Sequence, residues 1–398
     1  MIRRLLLVVL SCGLVFGWAT PNAGARSVHP VEMKTLPMAY VDAVATGPAG
    51  EVVVVGERHG NMVVVKYARG GARLWTRTLR IKGRLGSRGE DVTVGREGTV
   101  YAVGTKEVRG GDREFPDRVT VVLAFGPRGR LHWQRHFHQR AMYSDLPTGI
   151  AVSGHVVVVS GFENCFECEY AGGWLHAWSR GGRFLWHDPF EFDGIRRVTN
   201  DLPYAIAAGT AGDLFVAGGV SRGVYGWMAP VDEDVFVRRI TPDGDTVWTR
   251  VFSDAAFDAD RAVSVASRGD VVAIGTWLDA RPTADPAPAV TVLSTAGEVL
   301  WSHPFGKRSW NEVGVDVGPG AAVFAMRTRD PADGLPALVL RKYAHAGTIR
   351  WTSVTRQGLR ALWGIDLDQV RSVVRVVAQG VGQGGPWTER ARLLTYPA

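Results

Sequence analysis

Two cysteines separated by two residues form the first candidate site in this sequence. Cys165 and Cys168 lie in the acidic segment GFENCFECEYAGGW, after a Val-rich run. A two-residue separation can close a small disulfide ring, or support redox chemistry where positive charge stabilises the thiolate. The acidic neighbours oppose a thiolate, and no second Cys pair lies nearby to complete a metal site. We therefore expect a disulfide that staples this segment, with redox activity and metal binding as the alternatives.

Three histidines form a second candidate site. His132, His136 and His138 lie at even spacing on one predicted strand, so their side chains should project from the same face. Two such histidines can share a metal ion, which makes His136 and His138 the metal candidates. Partly solvated polar side chains on an outer strand are the favoured alternative. No cofactor or resident metal is therefore expected.

Acidic segments offer the remaining ligands. They contain Asp232, Glu233 and Asp234 in one segment and Asp254, Asp258 and Asp260 in the next. Carboxylates of this kind can bind calcium, but their spacing does not match an EF-hand loop, so solvated loops are favoured. The sequence also contains no P-loop or H-E-x-x-H motif. No catalytic residue is predicted.

A Gly-x-x-x-Trp segment recurs along the chain and indicates the elements that position these residues. The six pairs are Gly71 and Trp75, Gly129 and Trp133, Gly182 and Trp186, Gly244 and Trp248, Gly297 and Trp301, and Gly347 and Trp351. A fixed Gly in a tight connection supplies a positive φ, as hairpin turns require. Because the same Trp occurs in every unit, we expect it to pack between units rather than bind a ligand.

A second pattern alternates with the first. A Val-rich strand preceded by an apolar strand and a turn occurs seven times, as in DAVATGPAGEVVVVG and DVTVGREGTVYAVG. Such short runs bounded by Gly, Pro and Asp are strand signals. Two hairpins per unit give four strands in about 50 to 57 residues, the length expected of a propeller blade. The fold class is therefore all-β: a single seven-bladed β-propeller of four-stranded blades.

The two chain ends predict how the ring closes. In the seventh unit the chain stops two residues after Tyr396, so its fourth strand is missing. Residues 28–38 form an unassigned segment before the first unit. If this N-terminal strand pairs with the strand ending at Tyr396, it closes the last blade and removes an unpaired edge. First strands then line the pore, and the residues near their starts are Asp42, Glu90, Thr148, Tyr204, Arg261, Glu312 and Trp363.

The N-terminus predicts export. Arg3 and Arg4 precede an apolar run over residues 5–19 and a small-x-small pattern ending at Ala25. We expect a signal peptide over residues 1–25, a propeller over residues 26–398, and a periplasmic or extracellular location. The run is too short to span a bilayer, which takes about 20 residues, so no transmembrane segment is expected. Lipidation at Cys12 is the alternative.

Basic residues exceed acidic ones by 7, and nearly all the excess is Arg. The arginines are scattered over every repeat rather than gathered in one run. Dispersed surface charge is therefore expected, and nucleic-acid binding is not.

The Gly-x-x-x-Trp hairpin, clearest in TPDGDTVWTRVF, resembles the repeats of bacterial exported β-propellers of the pyrroloquinoline-quinone-like class. The resemblance covers nearly the whole chain after residue 25 and implies blade architecture rather than an activity. Quinoprotein dehydrogenases typically have eight blades, adjacent cysteines and a calcium-binding carboxylate cluster. Because this chain has seven units and separated cysteines, no quinone site is carried over.

The uniform units favour a binding or scaffolding protein with no evident catalytic site, since fold alone does not fix function. An enzyme with its active site at the pore mouth (a hydrolase, a lyase or a quinoprotein) and a structural envelope component are the alternatives. We expect a monomer that binds a protein or glycan partner. Trp227 and Trp277 lie outside the repeated Trp position and are the expected contact residues.

Overall fold

The structure is a computed structural model, and the part of the chain that it describes leaves out several connections. It describes residues 26–27, 29–80, 86–108, 117–138, 144–165, 170–190, 201–221, 233–252, 257–280, 289–305, 313–329, 336–356, 359–368, 372–380 and 390–398. Within these residues one short 3₁₀ helix, Pro319–Ala321, accompanies the strands. No helix among them has the length and apolar character needed to cross a membrane.

Seven blades of four antiparallel strands form a seven-bladed β-propeller, as predicted. Each blade runs A, B, C, D from the centre outwards. Blade 1 contains Tyr40–Thr46, Val52–Arg58, Asn61–Tyr67 and Arg73–Leu79. Blade 2 contains Ser87–Val94, Val100–Val108, Asp117–Phe125 and Leu131–Phe137. Blade 3 contains Ser144–Ser153, Val156–Cys165, Tyr170–Ser179 and Phe184–Asp188. Blade 4 contains Asp201–Ala208, Leu214–Ser221, Glu233–Ile240 and Thr246–Phe252.

The remaining blades follow the same order. Blade 5 contains Phe257–Arg268, Val271–Ala280, Ala289–Ser294 and Val299–Pro304. Blade 6 contains Gly314–Val317, Val323–Arg329, Pro336–Tyr343 and Ile349–Thr355. Blade 7 contains Leu359–Asp368, Val373–Gly380 and Arg390–Pro397, and its D strand is Glu32–Thr35 from the N-terminus. The two residues Arg26–Ser27 pair in parallel with the D strand of blade 6.

The Val-rich B strands form the core because each lies inside its blade with a neighbouring blade on either side. Val53, Val54 and Val55 are completely buried, although their side chains alternate between the two faces of the sheet. A strand covered on both faces has continuous rather than alternating apolar character. Each A strand contacts the A strands of the neighbouring blades, so the seven A strands form a closed ring.

Polar side chains link neighbouring A strands. Asp91 of blade 2 accepts a hydrogen bond from the backbone N–H of Ile150 in blade 3, at 2.8 Å. Asp316 of blade 6 accepts one from Leu367 in blade 7, at 2.6 Å. The inner ring is therefore held by hydrogen bonds as well as by apolar packing.

The repeated Trp packs between blades, as the sequence predicts. The indole N–H of Trp133 donates to the carbonyl of Arg180 in the next blade at 2.7 Å. Its ring lies so close to the C–D turn of that blade that a Cβ on Gly182 would approach it to 2.8 Å. Equivalent indole bonds join Trp75 to Pro127, Trp186 to Pro242, Trp248 to Thr295 and Trp301 to His345. The repeated Gly and the repeated Trp therefore meet across each of these boundaries.

The N-terminal strand closes the ring, as predicted. Glu32–Thr35 pairs antiparallel with Arg390–Pro397, and Glu32 lies opposite Thr395. This register places Glu32 where the other D strands carry Trp, and Lys34 where blade 1 carries Arg77. Lys34 donates to the carbonyl of Gly71 in blade 1 and lies 4.3 Å from the Tyr67 ring centroid. Charged contacts therefore replace the Trp contact at this boundary.

Candidate functional site

The two faces of the ring differ in their connections. The A–B and C–D turns lie on one face, which we call the tight-turn face, and each C–D turn from blade 1 to blade 6 has four or five residues. The B–C and D–A connections leave from the opposite, long-connection face. Its B–C connections range from residues 59–60 in blade 1 to residues 222–232 in blade 4. Variation among the blades is concentrated on the long-connection face, where loops usually carry function.

The A strands begin on the long-connection face with an irregularity. In five blades the register shifts at one residue, and these residues are Asp42, Glu90, Thr148, Tyr204 and Trp363. All five belong to the set predicted to lie near the pore mouth. In blade 5 the corresponding shift is at Val263, two residues beyond Arg261. Glu312 lies outside the described residues. A bulge redirects one side chain out of the regular alternation of a strand.

A charged group joins blades 1 and 2 at the mouth. Arg88 Nε donates to Asp42 Oδ1 at 3.1 Å and lies 3.8 Å from Glu90 Oε1. Asp42 is only 6% exposed, and within the described part of the chain its second oxygen, Oδ2, has no hydrogen-bond partner. The Arg88 guanidinium therefore contacts both carboxylates, and Asp42 Oδ2 is a buried acceptor without a hydrogen bond among the described residues.

Burial sets the protonation of this group. It raises the pKa of Glu90 to about 7, while Arg88 opposes the shift and the charge of Asp42 adds to it. It also raises the pKa of Asp42, against the hydrogen bond and charge of Arg88. A carboxyl that titrates near neutral pH can exchange protons there, as a general acid or base must. Structural ion-pair networks produce the same kind of shift, so the shift does not identify a catalyst.

A second charged group joins blades 4 and 5. Arg261 Nε lies 3.7 Å from Glu233 Oε2, and its guanidinium lies 5.6 Å from the Tyr204 ring centroid. Burial raises the pKa of Glu233, and Arg261 and a hydrogen bond with Tyr204 oppose that shift. Both groups suit the recognition of polar partner atoms.

Each of the two metal candidates has a polar neighbour of its own. His136 Nε2 lies 2.8 Å from the side-chain nitrogen of Gln134. His138 Nδ1 lies 2.8 Å from Asp145 Oδ2. Among the described residues, no three His, Cys, Asp or Glu side chains are grouped so as to hold a metal ion.

The other predicted site residues fall at the long-connection face or outside the described residues. Cys165 ends the B strand of blade 3, and Cys168 lies outside the described residues. Trp277 lies near the end of the B strand of blade 5, opposite Arg261 in the sheet, and Trp227 lies outside the described residues. The disulfide and the Trp contact therefore stay predictions.

Sequence reasoning missed one buried imidazole. His176 lies opposite His187 in blade 3, and their ring centroids are 4.3 Å apart. Neither ring nitrogen of His176 has a hydrogen-bond partner among the residues that the structure describes. Burial, followed by the nearby His187, lowers the pKa of His176 to about 3. The alternation of Trp174, His176 and Trp178 is a sequence signal that would place this histidine on an interior face.

Comparison with known proteins supports the fold alone. No protein-family profile matches the chain. No curated protein matches it by sequence. The chain is similar in structure to the RRP9 WD40 repeats, with a TM-score of 0.58, 10% identity, and coverage of 94% of this chain and 99% of that one.

Two further propellers are similar. Kuenenia stuttgartiensis hydrazine synthase has a TM-score of 0.55 at 13% identity, covering 86% of this chain and 94% of that chain. The β-propeller domain of the Trilobed protease from Pyrococcus furiosus has a TM-score of 0.50 at 11% identity, covering 91% and 94%. These proteins differ in function, so the shared fold assigns none to this chain.

Proposed function

We propose that this protein is an exported binding module whose propeller holds a protein partner on its long-connection face and has no catalytic site. The observation that supports this proposal most directly is the difference in connection length between the two faces of the ring. The C–D turns are nearly uniform, whereas the B–C connections vary from residues 59–60 to residues 222–232. Binding residues concentrate on variable loops held by a rigid scaffold. The bulged A strands add buried polar atoms, such as Asp42 Oδ2, to the same face.

Trp227 and Trp277 are the proposed anchors of this contact. Aromatic anchors contribute most of the binding free energy in many interfaces. A Trp227→Ala, Trp277→Ala double variant should lose partners that the parent retains from envelope extracts. The matched control is Val247→Ala, Val299→Ala, which truncates exposed apolar side chains in the same two blades at the tight-turn end. Equal recovery of the same partners by the Trp variant and the control would remove these two residues from the contact.

The second candidate function is an enzyme at the mouth, and Glu90 is the observation that favours it, because burial raises its pKa to about 7. Arg88 lies between Glu90 and Asp42, so the group resembles an ion-pair network more than an acid and a base facing a substrate. Incubation with glycan panels, or with pyrroloquinoline quinone and calcium, should give no turnover. A turnover that Glu90→Gln abolishes would establish the enzyme instead.

Export and the disulfide complete the proposal. The test of export is a fusion of residues 1–25 to a phosphatase that is active only outside the cytoplasm. The fusion should show phosphatase activity, because residues 1–25 have the pattern of a signal peptide. Mass spectrometry of unreduced peptides should show Cys165 joined to Cys168, as expected in an oxidising compartment. Free thiols together with an inactive fusion would contradict export.

A further inference from the structure

The C–D hairpins of blades 1, 2 and 3 present exposed arginines on the tight-turn face, in their turns or directly after them. These residues are Arg69, Arg73, Arg128, Arg130 and Arg183. They are far apart in the sequence, which is why the arginines look dispersed along the chain. The uniform hairpins place them on the same face of three consecutive blades.

None of the five arginines forms a salt bridge with another residue that the structure describes. The two carboxylates of the neighbouring A–B turns are already paired. Glu51 lies 3.0 Å from Lys66 Nζ, and Glu97 lies 3.0 Å from Arg180 Nη1.

Exposed apolar side chains directly follow three of the arginines. Leu74 is 53% exposed, Leu131 is 46% exposed and Phe184 is 53% exposed. They come directly after Arg73, Arg130 and Arg183 in the sequence. We call the five arginines with Leu74, Leu131 and Phe184 the basic arc.

The basic arc covers only one side of the ring. In blades 4 and 5 the C–D turns carry Asp243, Asp245 and Glu298 instead. Positive charge is therefore concentrated over three neighbouring blades, although the net charge of the whole chain is only +7.

We infer that the basic arc is a docking surface for an anionic phospholipid bilayer. Three turns of nearly equal length present guanidinium groups on one face of neighbouring blades, which suits an extended surface of phosphates. Arginine binds phosphate through paired N–H donors. Leucine and phenylalanine beside basic residues are typical of surfaces that enter the headgroup layer. A nucleic acid would satisfy the arginines but would leave Leu74, Leu131 and Phe184 in water, so the bilayer accounts for more of the arc.

Vesicle co-sedimentation tests this inference with the chain from Arg26 onward, which contains all seven blades and the closing strand. It should bind vesicles that contain phosphatidylglycerol and not vesicles of phosphatidylcholine alone, and high salt should weaken binding. Each arginine near an anionic surface strengthens binding about fivefold. Arg128→Gln, Arg183→Gln should therefore lower the partition coefficient about 25-fold.

The matched control is Arg58→Gln, Arg80→Gln, which removes the same charge from two exposed arginines at the long-connection ends of their strands. It should bind like the parent. A Leu74→Ser, Phe184→Ser variant should lose binding although its charge is unchanged. Equal losses in the two arginine variants would show attraction to net charge and overturn the inference. Binding of heparin without binding of vesicles would overturn it as well, and would assign the arc to a soluble polyanion.

Discussion

At the scale of single residues, the repeated Gly and Trp contact each other across a blade boundary rather than within one hairpin. Gly182 has a φ of 81°, and its turn lies against the ring of Trp133 from the preceding blade. Both properties exclude a side chain there. The spacing of Gly and Trp within one hairpin predicts the turn. It does not predict that the Gly of this hairpin contacts the Trp of the preceding blade.

Replacing Gly182 with Ala should therefore cost more stability than the backbone conformation alone requires. The left-handed conformation costs an L residue about 1 to 2 kcal/mol. Overpacking against Trp133 adds about 1 to 3 kcal/mol. Gly60→Ala is the control, because Gly60 has a φ of 70° and open space around its missing side chain. Urea unfolding should show a larger loss of unfolding free energy for Gly182→Ala than for Gly60→Ala. Equal losses in the two variants would mean that the added methyl group is not strained against Trp133.

The buried carboxyls give stability an unusual pH dependence. Burial raises the pKa of Asp91 from 3.8 to about 7, although Ile150 and Val92 donate backbone hydrogen bonds to it. The folded protein therefore binds this proton more tightly than the unfolded chain. The stability from Asp91 is fully present below about pH 4 and is lost as the pH rises toward about 7.

Asp91→Asn removes the titration of this carboxyl, so a comparison with the parent isolates the contribution of Asp91 to stability. Other groups contribute in both proteins; the lowered pKa of His176, for example, makes stability increase with pH. The melting temperature of the variant should fall further below the parent at about pH 5 than at about pH 8. A constant difference across that range would mean that Asp91 has the same pKa in the folded and unfolded protein.

At the scale of elements, the short strand Glu32–Thr35 completes blade 7, and the chain after it adds the buried side chains of Leu36 and Met38. Without this segment, Arg390–Pro397 would become an exposed edge, which favours aggregation.

A chain that begins at Ala39 should therefore be less stable by about 4 kcal/mol or more, since each buried apolar side chain contributes about 2 to 5 kcal/mol. The control begins at Val31, so it loses the two-residue pairing of Arg26–Ser27 with blade 6 but keeps the closing strand. Chemical denaturation followed by light scattering should show aggregation only in the shorter chain. Identical unfolding of the two chains would contradict closure by this strand.

The elements could be predicted because their signals are local. Val-rich runs of four residues and the Gly-x-x-x-Trp spacing define strands and turns from neighbouring residues, and the missing last strand predicted closure. The site could not be predicted in the same way. Arg88 reaches Asp42 across a blade boundary, and the pairing of His176 with His187 depends on the register of two strands.

At the scale of the whole molecule, the antiparallel order of the strands separates two kinds of surface. Every blade sends its A–B and C–D turns to one face and its more variable B–C and D–A connections to the other. The basic arc belongs to the first face and the bulged A strands belong to the second. A propeller that rests on a bilayer through the arc would direct the long-connection face away from it, toward the proposed partner.

Crosslinking from matched positions on the two faces tests the central claim, that the partner binds the long-connection face. His59 and Asp243 are both exposed, and both lie in turns, His59 at the long-connection face and Asp243 at the tight-turn face. Each is replaced in turn by the photoreactive p-benzoylphenylalanine, and the protein is irradiated in envelope extracts. We predict a discrete protein adduct from the His59 position and none from the Asp243 position. An adduct from Asp243 alone, or from both positions equally, would contradict a partner bound on the long-connection face.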